Sequence, residues 1–440
     1  MLRGPVAAAA LGMALSALAV PAQAALAPHE AVMIATVDAE AESERNIALL
    51  ERLVNQNSGT LNLEGVEKVA DMVRPELDAL GFKTHWTPMR HTGRAGHLTA
   101  VHEGRRGTKR ILLIAHLDTV FEADSPFQRF ERRGDVAEGP GVVDNKGGIV
   151  VILAALRAMQ AAGTLADANI EIALTGDEED AGVPRAEARA GLVAAGRRAD
   201  VALDFEGLAR LDGQDMGSIA RRSSNSWELR TTGRTGHSSG IFSTNSGDGA
   251  IFEIARIIAG FRTDLPEPSL TFNVGLVSGG ISATFEEEGT RSTATGKSNI
   301  IPPTALAIGD FRTLSEEQTR RVRGKMEAIV AANAPRTSAE IRFADPYPPM
   351  APTEGNRALL ARLNAVNRDM GLPEMPELDP LRRGAGDIGF VASHVDGLAG
   401  MGPAGSGSHA VGETIDLPSI AKQAKRAAIL MTRLSKEPAR

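Results

Sequence analysis

Histidine and acidic residues stand at five places where a strand is predicted to end or a glycine-rich turn to lie. They are His116, Asp144, Glu179, Glu206 and His409. Nitrogen and oxygen donors of these types bind zinc, and they also accept cobalt and manganese. Five donors suit two metal ions that share one bridging carboxylate. The sequence therefore predicts a centre for two divalent ions, with Zn²⁺ as the first candidate and Co²⁺ or Mn²⁺ as alternatives.

His116 follows the continuous apolar run of residues 110–115, which predicts a buried central strand of an α/β sheet. Open sheets of this class bind their ligands at the carboxyl ends of the strands. Asp118 lies shortly after His116, and a carboxylate that accepts the second imidazole N–H fixes the tautomer of a metal-bound histidine. Taken alone, the pair could equally belong to a surface loop.

Asp144 lies in a glycine-rich stretch, residues 139–148, with the sequence GPGVVDNKGG. Glycines at this density allow close approach of the backbone and unusual dihedral angles. A structural turn before a helix, with Asp144 as its N-cap, is the alternative interpretation. A phosphate-binding loop is disfavoured because the pattern Gly-x-x-x-x-Gly-Lys-Ser/Thr is missing.

Four consecutive carboxylates, residues 177–180, follow the apolar run of residues 169–174. A solvated acidic loop is the usual interpretation of such a run. Here the run begins where a buried strand ends, on the same sheet edge as His116, and crowded like charges repel unless a cation neutralises them. Of two adjacent glutamates, one can bind metal while the other takes a proton from water. Glu206 and His409, each taken alone, predict a metal ligand less strongly.

Strands that alternate with helices must position these residues. Continuous apolar runs predict buried strands at residues 110–115, 169–174 and 200–205. Apolar residues at helical spacing predict helices at residues 39–54, 63–80, 146–162, 359–370 and 417–434. This alternation predicts an α/β catalytic domain with a mixed, largely parallel sheet and helices on both faces.

The middle of the chain has the order β-α-β-β-α-β, which predicts a small ferredoxin-like α+β unit inserted into the larger domain. Its predicted elements are strands at 227–232, 270–277, 305–312 and 339–343 and helices at 248–260 and 314–332. The predicted division is a first catalytic part (25–221), an inserted lid and dimerisation domain (222–345) and a second catalytic part (346–440). The proline-rich residues 346–352 are the predicted return linker.

Length and composition limit the possible classes of protein. The chain has 440 residues, which favours two or three domains, and a formal net charge of −7, which argues against a nucleic-acid surface. It has no cysteine and therefore no thiol nucleophile.

The first residues of the chain predict a signal peptide, residues 1–24, that is cleaved after Ala24. The prediction rests on a positive charge at Arg3, the apolar run 6–20 and the sequence Ala-Gln-Ala at 22–24. We therefore expect a periplasmic or secreted protein without a membrane anchor in its mature form; an uncleaved anchor is the alternative.

These motifs together resemble the M20 family of metallopeptidases, most closely its bacterial glutamate carboxypeptidase (carboxypeptidase G) branch and the acetylornithine deacetylase-like hydrolases. The likeness covers nearly the whole predicted mature chain and rests on blocks that occur in family order. The blocks are His-x-Asp at 116–118, Gly-x-Gly-x-x-Asp-x-Lys-Gly-Gly at 139–148, Asp-Glu-Glu at 177–179 and Phe-Glu at 205–206. Their combination is specific, although each block alone is not.

The resemblance implies how the five ligands divide between two metal ions. Asp144 bridges the ions. His116 and Glu206 complete one metal site, while Glu179 and His409 complete the other. A matched set of ligands in this order implies a dinuclear hydrolase.

The resemblance also implies roles for the neighbours of these ligands. Glu178 is the general base that takes the proton from the attacking water. Asp118 orients His116. The peptide bond between Asp144 and Asn145 is expected to be cis.

Residues of the inserted domain match the family as well. The segment 233–238 implies that His237 reaches across a homodimer to the partner's active site, where it stabilises an oxyanion. The resemblance implies that Asn299 and Arg312 bind substrate and that Arg312 binds a substrate carboxylate through two parallel hydrogen bonds. A surface salt bridge is the alternative for Arg312. Gly405, in the glycine and serine loop near the C-terminus, is assigned to the substrate-binding surface.

The implied reaction is hydrolysis of an amide bond next to a free carboxylate in a peptide or N-acyl amino acid, with release of a C-terminal amino acid such as glutamate. An N-acyl amino acid deacylase and a dipeptidase are alternatives that share all the predicted ligands. An inactive periplasmic binding protein is a remote alternative, because it predicts a missing ligand or base. The chain departs from the family pattern at residues 221–224, 384–387 and 401–408, so the substrate stays open.

Overall fold

A computed structural model describes residues 26–286 and 291–439 of the chain. The predicted signal peptide, residues 1–24, and its predicted cleavage after Ala24 lie outside the described residues. Within the described ranges, no helix combines the length and the apolar character needed to cross a membrane.

The described residues form helices and strands that alternate along much of the chain. The α-helices are α1 (Pro28–Glu42), α2 (Arg45–Asn55), α3 (Leu63–Ala79), α4 (Lys146–Ala161), α5 (Arg185–Ala188), α6 (Ala190–Arg198), α7 (Ala250–Asp264), α8 (Glu316–Ala331), α9 (Glu354–Asp369) and α10 (Pro418–Leu434). The strands are β1 (Lys83–Pro88), β2 (Gly96–His102), β3 (Arg110–His116), β4 (Glu131–Arg133), β5 (Val136–Glu138), β6 (Asn169–Thr175), β7 (Val201–Asp204), β8 (Arg210–Leu211), β9 (Gln214–Asp215), β10 (Asn225–Gly233), β11 (Gly236–His237), β12 (Thr271–Gly280), β13 (Ser282–Glu286), β14 (Arg291–Thr295), β15 (Ile300–Ile301), β16 (Thr304–Arg312), β17 (Thr337–Phe343), β18 (Gly397–Leu398), β19 (Gly405–Ser406) and β20 (Thr414–Asp416).

A six-stranded sheet in the order β1-β2-β6-β3-β7-β18 forms the centre of the larger domain. The strands β6, β3, β7 and β18 pair in parallel, while β2 runs antiparallel to both of its neighbours. Alternate side chains of β3 face opposite ways, so Ile111 and Leu113 pack with α4 and α10. Leu112 and Ile114 pack with α6 on the other face. The predicted class, a mixed and largely parallel sheet with helices on both faces, is confirmed.

A second sheet, in the order β12-β16-β10-β17, is antiparallel throughout. The helices α7 and α8 pack on it through an apolar cluster that includes Trp227, Phe261 and Met326. The chain order β10-α7-β12-β16-α8-β17 confirms the predicted ferredoxin-like insertion. A hairpin of β13 and β14, which the sequence pattern did not predict, lies between β12 and β16 in the chain.

The predicted helix 39–54 is wrong in its extent. The structure has two helices, α1 and α2, which separate where Glu44 adopts a left-handed backbone conformation (φ 55°). The first helix buries Met33, but it also buries the carboxylates Glu30 and Glu40. An apolar repeat could not predict this helix, because half of its inward positions are charged residues held by ion pairs.

A small sheet, β19-β20-β5-β4, was also not predicted from the sequence. Its strands have two or three residues each, too few for a readable apolar pattern. The pairing of β20 with β5 brings the loop that follows β19 beside the glycine-rich residues 139–148. This sheet therefore joins the C-terminal loop to the segment that carries Asp144.

Candidate metal centre

Four predicted site residues follow neighbouring strands of the six-stranded sheet. His116 is the last residue of β3, Glu178 and Glu179 come shortly after β6, and Glu206 comes shortly after β7. Because β3 pairs in parallel with both β6 and β7, the carboxyl ends of the three strands lie at one edge. The apolar runs that form these strands thus bring together side chains that are far apart in sequence.

Asp144 and His409 reach the same edge from two loops. Asp144 precedes α4, and its peptide bond to Asn145 is cis, as the resemblance implied. Oδ1 of Asp144 lies 3.1 Å from Nε2 of His116, and its Oδ2 lies 3.3 Å from Nε2 of His409. Asp144 therefore stands between two histidines with one oxygen towards each.

The two remaining carboxylates each contact one of these histidines. Oε1 of Glu206 lies 3.4 Å from Nε2 of His116, and Oε2 of Glu179 lies 3.0 Å from Nε2 of His409. By these contacts the five residues fall into two groups of donors joined by Asp144, while donor atoms close enough to share one ion also group as His116, Asp144 and Glu179 and as His116, Glu178 and Glu206. Their binding of metal stays a prediction.

The cluster concentrates negative charge where little water reaches. Burial raises the pKa of Glu178 well above its ordinary value, and burial also raises the pKa of Glu179 to about 7. Hydrogen bonds with Asp144 and Glu179 raise the pKa of His409 to about 11. Oε1 of Glu179 is buried without a hydrogen-bond partner among the described residues. Crowded carboxylates of this kind repel one another unless cations neutralise them, so the donor set fits a pair of divalent ions.

Asp118 connects His116 to the acidic segment. One of its carboxylate oxygens lies 3.4 Å from Nδ1 of His116. The same carboxylate accepts the backbone N–H of Glu178 at 3.0 Å, the backbone N–H of Glu179 at 3.1 Å and the hydroxyl of Thr60 at 2.7 Å. Burial alone would raise the pKa of Asp118, but the hydrogen bond and charge of His116 outweigh burial and lower it. Asp118 can therefore orient the imidazole and the two glutamates at the same time.

Glu413 fixes the loop that carries Asp144, although no sequence pattern pointed to this residue. It accepts the backbone N–H groups of Gly141, Val143 and Asp144 at 3.1, 2.8 and 3.0 Å. Its side chain is buried, and burial raises its pKa to about 7. An isolated glutamate in a loop has no readable pattern, so only the folded contacts reveal this role.

Arg221 lies where the chain enters the inserted domain and reaches back to the cluster. Its Nη1 lies 3.3 Å from Oδ2 of Asp204 and 3.3 Å from Oε2 of Glu206. Its Nε donates to the carbonyl of Gly384 at 2.9 Å. A Cβ at Gly386 would lie 2.4 Å from Arg221 Nη1. Two of the segments that depart from the family pattern, 221–224 and 384–387, therefore fit against each other.

Tyr347 connects the return linker to the predicted general base. Its hydroxyl donates to the backbone carbonyl of Glu178 at 2.6 Å. Its own backbone pairs with Ser224, on the segment that enters the inserted domain. Arg189, which is buried, donates to Asp177 beside Glu178 at 2.5 Å. The sequence predicted none of these contacts, because they join loops rather than regular elements.

His237 and Asn299 lie together on the inserted domain but away from the cluster. The short strands β11 and β15 pair, and a backbone hydrogen bond of 2.9 Å joins the residue after His237 to the carbonyl of Asn299. Both side chains are exposed, and Nδ1 of His237 lies 2.8 Å from Oγ of Ser239. In the part of the chain that the structure describes, no hydrogen bond or ion pair joins either residue to the five predicted ligands.

Arg312 and Gly405 lie in different surroundings. Nε of Arg312 is 3.5 Å from Oδ2 of Asp310, which is the kind of contact that the salt-bridge alternative expects. Gly405 lines a cavity beside the cluster, and a Cβ there would lie 2.2 Å from the carbonyl oxygen of Thr414. The structure thus explains why residue 405 is glycine, while the substrate-binding roles of both residues stay predictions.

Nitrogen and oxygen donors grouped at the carboxyl ends of parallel strands define a candidate metallohydrolase. The profile of peptidase family M20/M25/M40 matches residues 112–433. Because this match spans more than half of the chain, the chain belongs to that family. It is a hydrolase of the peptidase and amidohydrolase class.

Individual relatives agree with this assignment. Carboxypeptidase G2 of Pseudomonas sp. (strain RS-16) is 26% identical over 333 residues, which cover 74% of this chain and 74% of that protein. Succinyl-diaminopimelate desuccinylase of Novosphingobium aromaticivorans is 34% identical over 140 residues, which cover 30% of this chain and 35% of that protein. The structure of aminopeptidase PepT from Bacillus cereus ATCC 10987 superposes with a TM-score of 0.71 at 17% identity, covering 89% of this chain and 99% of that one. This last likeness shows the fold.

Proposed function

We propose that this protein is a dinuclear metal-dependent hydrolase that cleaves an amide bond next to a free carboxylate and releases a C-terminal amino acid. The observation that carries the proposal is the position of Asp144, with one oxygen 3.1 Å from His116 and the other 3.3 Å from His409. A carboxylate placed in this way can bridge two ions. Zinc is the proposed metal, since it accepts both imidazole and carboxylate ligands.

The proposed chemistry uses Glu178 as the group that moves the proton. Bound divalent ions would lower the pKa of a water molecule and polarise the substrate carbonyl. Glu178 accepts the proton of the attacking water on its carboxylate and returns it to the leaving amine. Its burial suits this work, because a raised pKa allows the carboxylate to keep the proton between the two steps. During these steps Asp118 orients His116, and Arg221 orients Glu206.

The proposed specificity comes from the inserted domain. Arg312 and Asn299 bind the free carboxylate of the substrate, and His237 of a second copy stabilises the oxyanion. This arrangement makes the active form a homodimer. Similarity to carboxypeptidase G2 over most of both chains supports a C-terminal amino acid as the leaving group. A small peptide or N-acyl amino acid is therefore the proposed substrate.

An N-acyl amino acid deacylase is the second candidate. The observation that favours it is the similarity to a succinyl-diaminopimelate desuccinylase across 140 residues. A dipeptidase would use the same ligands and base.

We further propose that the protein acts in the periplasm or outside the cell, because residues 1–24 have the pattern of a signal peptide.

A metal titration combined with a substrate panel tests the proposal. The chelated protein is reloaded with Zn²⁺, Co²⁺ or Mn²⁺, and metal content and turnover of acyl-glutamates, acetylated amino acids and dipeptides are measured. We expect two ions per chain and the highest kcat/KM for an acyl-glutamate. No more than one ion per chain at saturation would contradict the dinuclear centre. A preference for acetylated amino acids or dipeptides would move the assignment to one of the other candidates.

A further inference from the structure

A cavity of about 310 Å³ lies beside the metal cluster. Val143, Gly207 and Ser408 line it, and each is the chain neighbour of a predicted metal ligand. The cavity therefore adjoins the segments that carry Asp144, Glu206 and His409. The volume is at the lower end of the range for small-molecule sites, which fits a short organic group.

Arg382 and Arg383 bring two positive charges to the cavity. Nη2 of Arg383 donates to the carbonyl of Gly207, and its Nε lies 3.4 Å from Oγ of Ser218. In the described part of the chain, neither guanidinium has a carboxylate within ion-pair distance, and Nη1 of Arg383 has no hydrogen-bond partner. Among the described residues, the cavity thus holds two guanidinium groups without an ion-pair partner, and Nη1 of Arg383 is a donor that the protein itself does not use.

Arg210 shows how an arginine of the same cavity is paired. Its Nε contacts Asp215 at 3.0 Å, and its Nη1 contacts Asp416 at 2.8 Å. Arg383 has no such ion pair: burial and the charge of Arg221 lower its pKa, while the charges of Glu206, Asp204 and Asp144 act in the opposite direction. A partly buried guanidinium without a direct ion pair is stabilised when an anionic ligand group contacts it. The unpaired arginines are therefore suited to bind a ligand carboxylate.

The position of Arg383 is distinct from that of Arg312. Nη1 of Arg312 lies 3.6 Å from the Cβ position of Gly384, whereas Nη2 of Arg383 contacts the carbonyl of Gly207 in the cavity wall. The segment separates two cationic positions, one supplied by the inserted domain and one inside the cavity.

We propose that the cavity binds the acyl part of the substrate and that this acyl part carries a negatively charged group. The inference rests on the proposed function, in which Arg312 takes the carboxylate of the leaving amino acid. With that carboxylate in place, the acyl part extends across the cluster towards Val143. Its own carboxylate contacts Arg382 and Arg383, while its methylene groups pack against apolar walls such as Leu208. The substrate is thus an N-acyl amino acid with an acidic group at each end.

Two substrates with the same leaving amino acid, glutamate, test this proposal. One has a glutaryl group, which ends in a carboxylate, and the other has the neutral glutaramoyl group of nearly equal size. We expect the metal-loaded protein to prefer the glutaryl substrate in kcat/KM by about 10- to 100-fold, as one charge-assisted hydrogen-bonded pair would give. Arg382→Gln and Arg383→Gln should each remove most of this preference, because they should lower kcat/KM for the glutaryl substrate more than kcat/KM for the neutral one.

Arg106→Gln is the matched control. It removes the same charge from an exposed loop before β3, at the opposite end of that strand from His116. The preference for the glutaryl substrate should remain in this variant. Calorimetric binding of glutarate and glutaramate gives a readout without turnover: the parent protein should bind glutarate more tightly, and the Arg382 and Arg383 variants should lose the difference.

Equal kcat/KM for the two substrates in the parent protein would overturn the proposal. It would also be overturned if Arg382→Gln and Arg383→Gln both lowered activity on the two substrates equally, because these arginines would then only support the cavity wall. Hydrolysis of the neutral substrate without any preference leaves the proposed hydrolase intact and rejects only the anionic acyl group. Failure to cleave any amide with a free carboxylate rejects both.

Discussion

His116 and His237 are two histidines with predicted roles in one active site, and the chain holds them very differently. The side chain of His116 is buried, with Asp118 beside its Nδ1 and Asp144 beside its Nε2. His237 is exposed, and its ring contacts the neighbouring Ser239. Asn299 is exposed like His237, whereas each of the five predicted metal ligands, including the exposed His409, contacts another member of the cluster. The predicted metal ligands are held by contacts within one chain, while His237 and Asn299 have no contact with them among the described residues, as the proposed action of His237 across a dimer expects.

This contrast predicts two kinds of variant. Substitutions in the strand-end cluster should change metal content, because each ligand there is fixed by contacts within the chain. Substitutions on the inserted domain should change turnover while metal content stays constant. Measuring both quantities for each variant therefore tests the division directly.

Asp144→Asn should have the largest effect. The amide keeps the shape of the side chain but removes the negative charge that lies between His116 and His409. We expect metal content to fall from two ions per chain to one or none and kcat/KM to fall by about 10⁴-fold. Atomic absorption and steady-state kinetics measure these changes, with circular dichroism as the control for folding. Two tightly bound ions in the variant would refute the bridging role.

Glu178→Gln should separate the base from the ligands that surround it. Glu178 is buried in the same cluster, but the resemblance gives it no metal to bind. We expect kcat to fall by about 10²- to 10⁴-fold, the range for loss of a general base, with two ions still bound. Loss of an ion in this variant would make Glu178 a ligand instead. Near-normal activity would show that another group moves the proton.

His237→Ala should lower kcat by about 10²- to 10³-fold, as loss of an oxyanion donor does, with metal content unchanged. Mixing tests whether the histidine acts between copies. When His237→Ala and Glu178→Gln chains are mixed and exchange freely, a mixed dimer has one site with both groups intact. About a quarter of the parent activity should then return for random pairing of the two chains. Full activity of a monomeric parent protein would contradict action across a dimer.

The elements that a sequence pattern can predict are those with long apolar runs. The runs at residues 110–115 and 169–174 predicted two central strands, and strand order then predicted that His116 and the acidic segment share an edge. The small sheet that brings His409 to Asp144 could not be predicted, because its strands have two or three residues.

The supporting contacts of the site were hidden for a related reason. Glu413 binds the backbone of Gly141 across a separation of 272 residues, and Tyr347 binds that of Glu178 across 169 residues. Such contacts depend on how the folded elements meet, and a single sequence carries no local signal for them. The types of the predicted ligands could thus be predicted from the sequence, while the residues that hold them in place could be identified only from the folded structure.

Tyr347→Phe tests the weakest of these supports and should have the smallest effect. The substitution removes the hydroxyl that donates to the Glu178 carbonyl, while the ring can keep its stacking with Arg185, whose guanidinium carbon lies 4.7 Å from the ring centre. Loss of one hydrogen bond of about 1 kcal/mol should lower kcat by about fivefold, with KM and metal content nearly unchanged. If kcat does not change, Asp118 alone positions this peptide through the Glu178 N–H. If an ion is lost, the contact between Tyr347 and Glu178 supports the metal ligands as well. The predicted metal ligands would then depend on residues next to the inserted domain, and the contrast between His116 and His237 would be weaker.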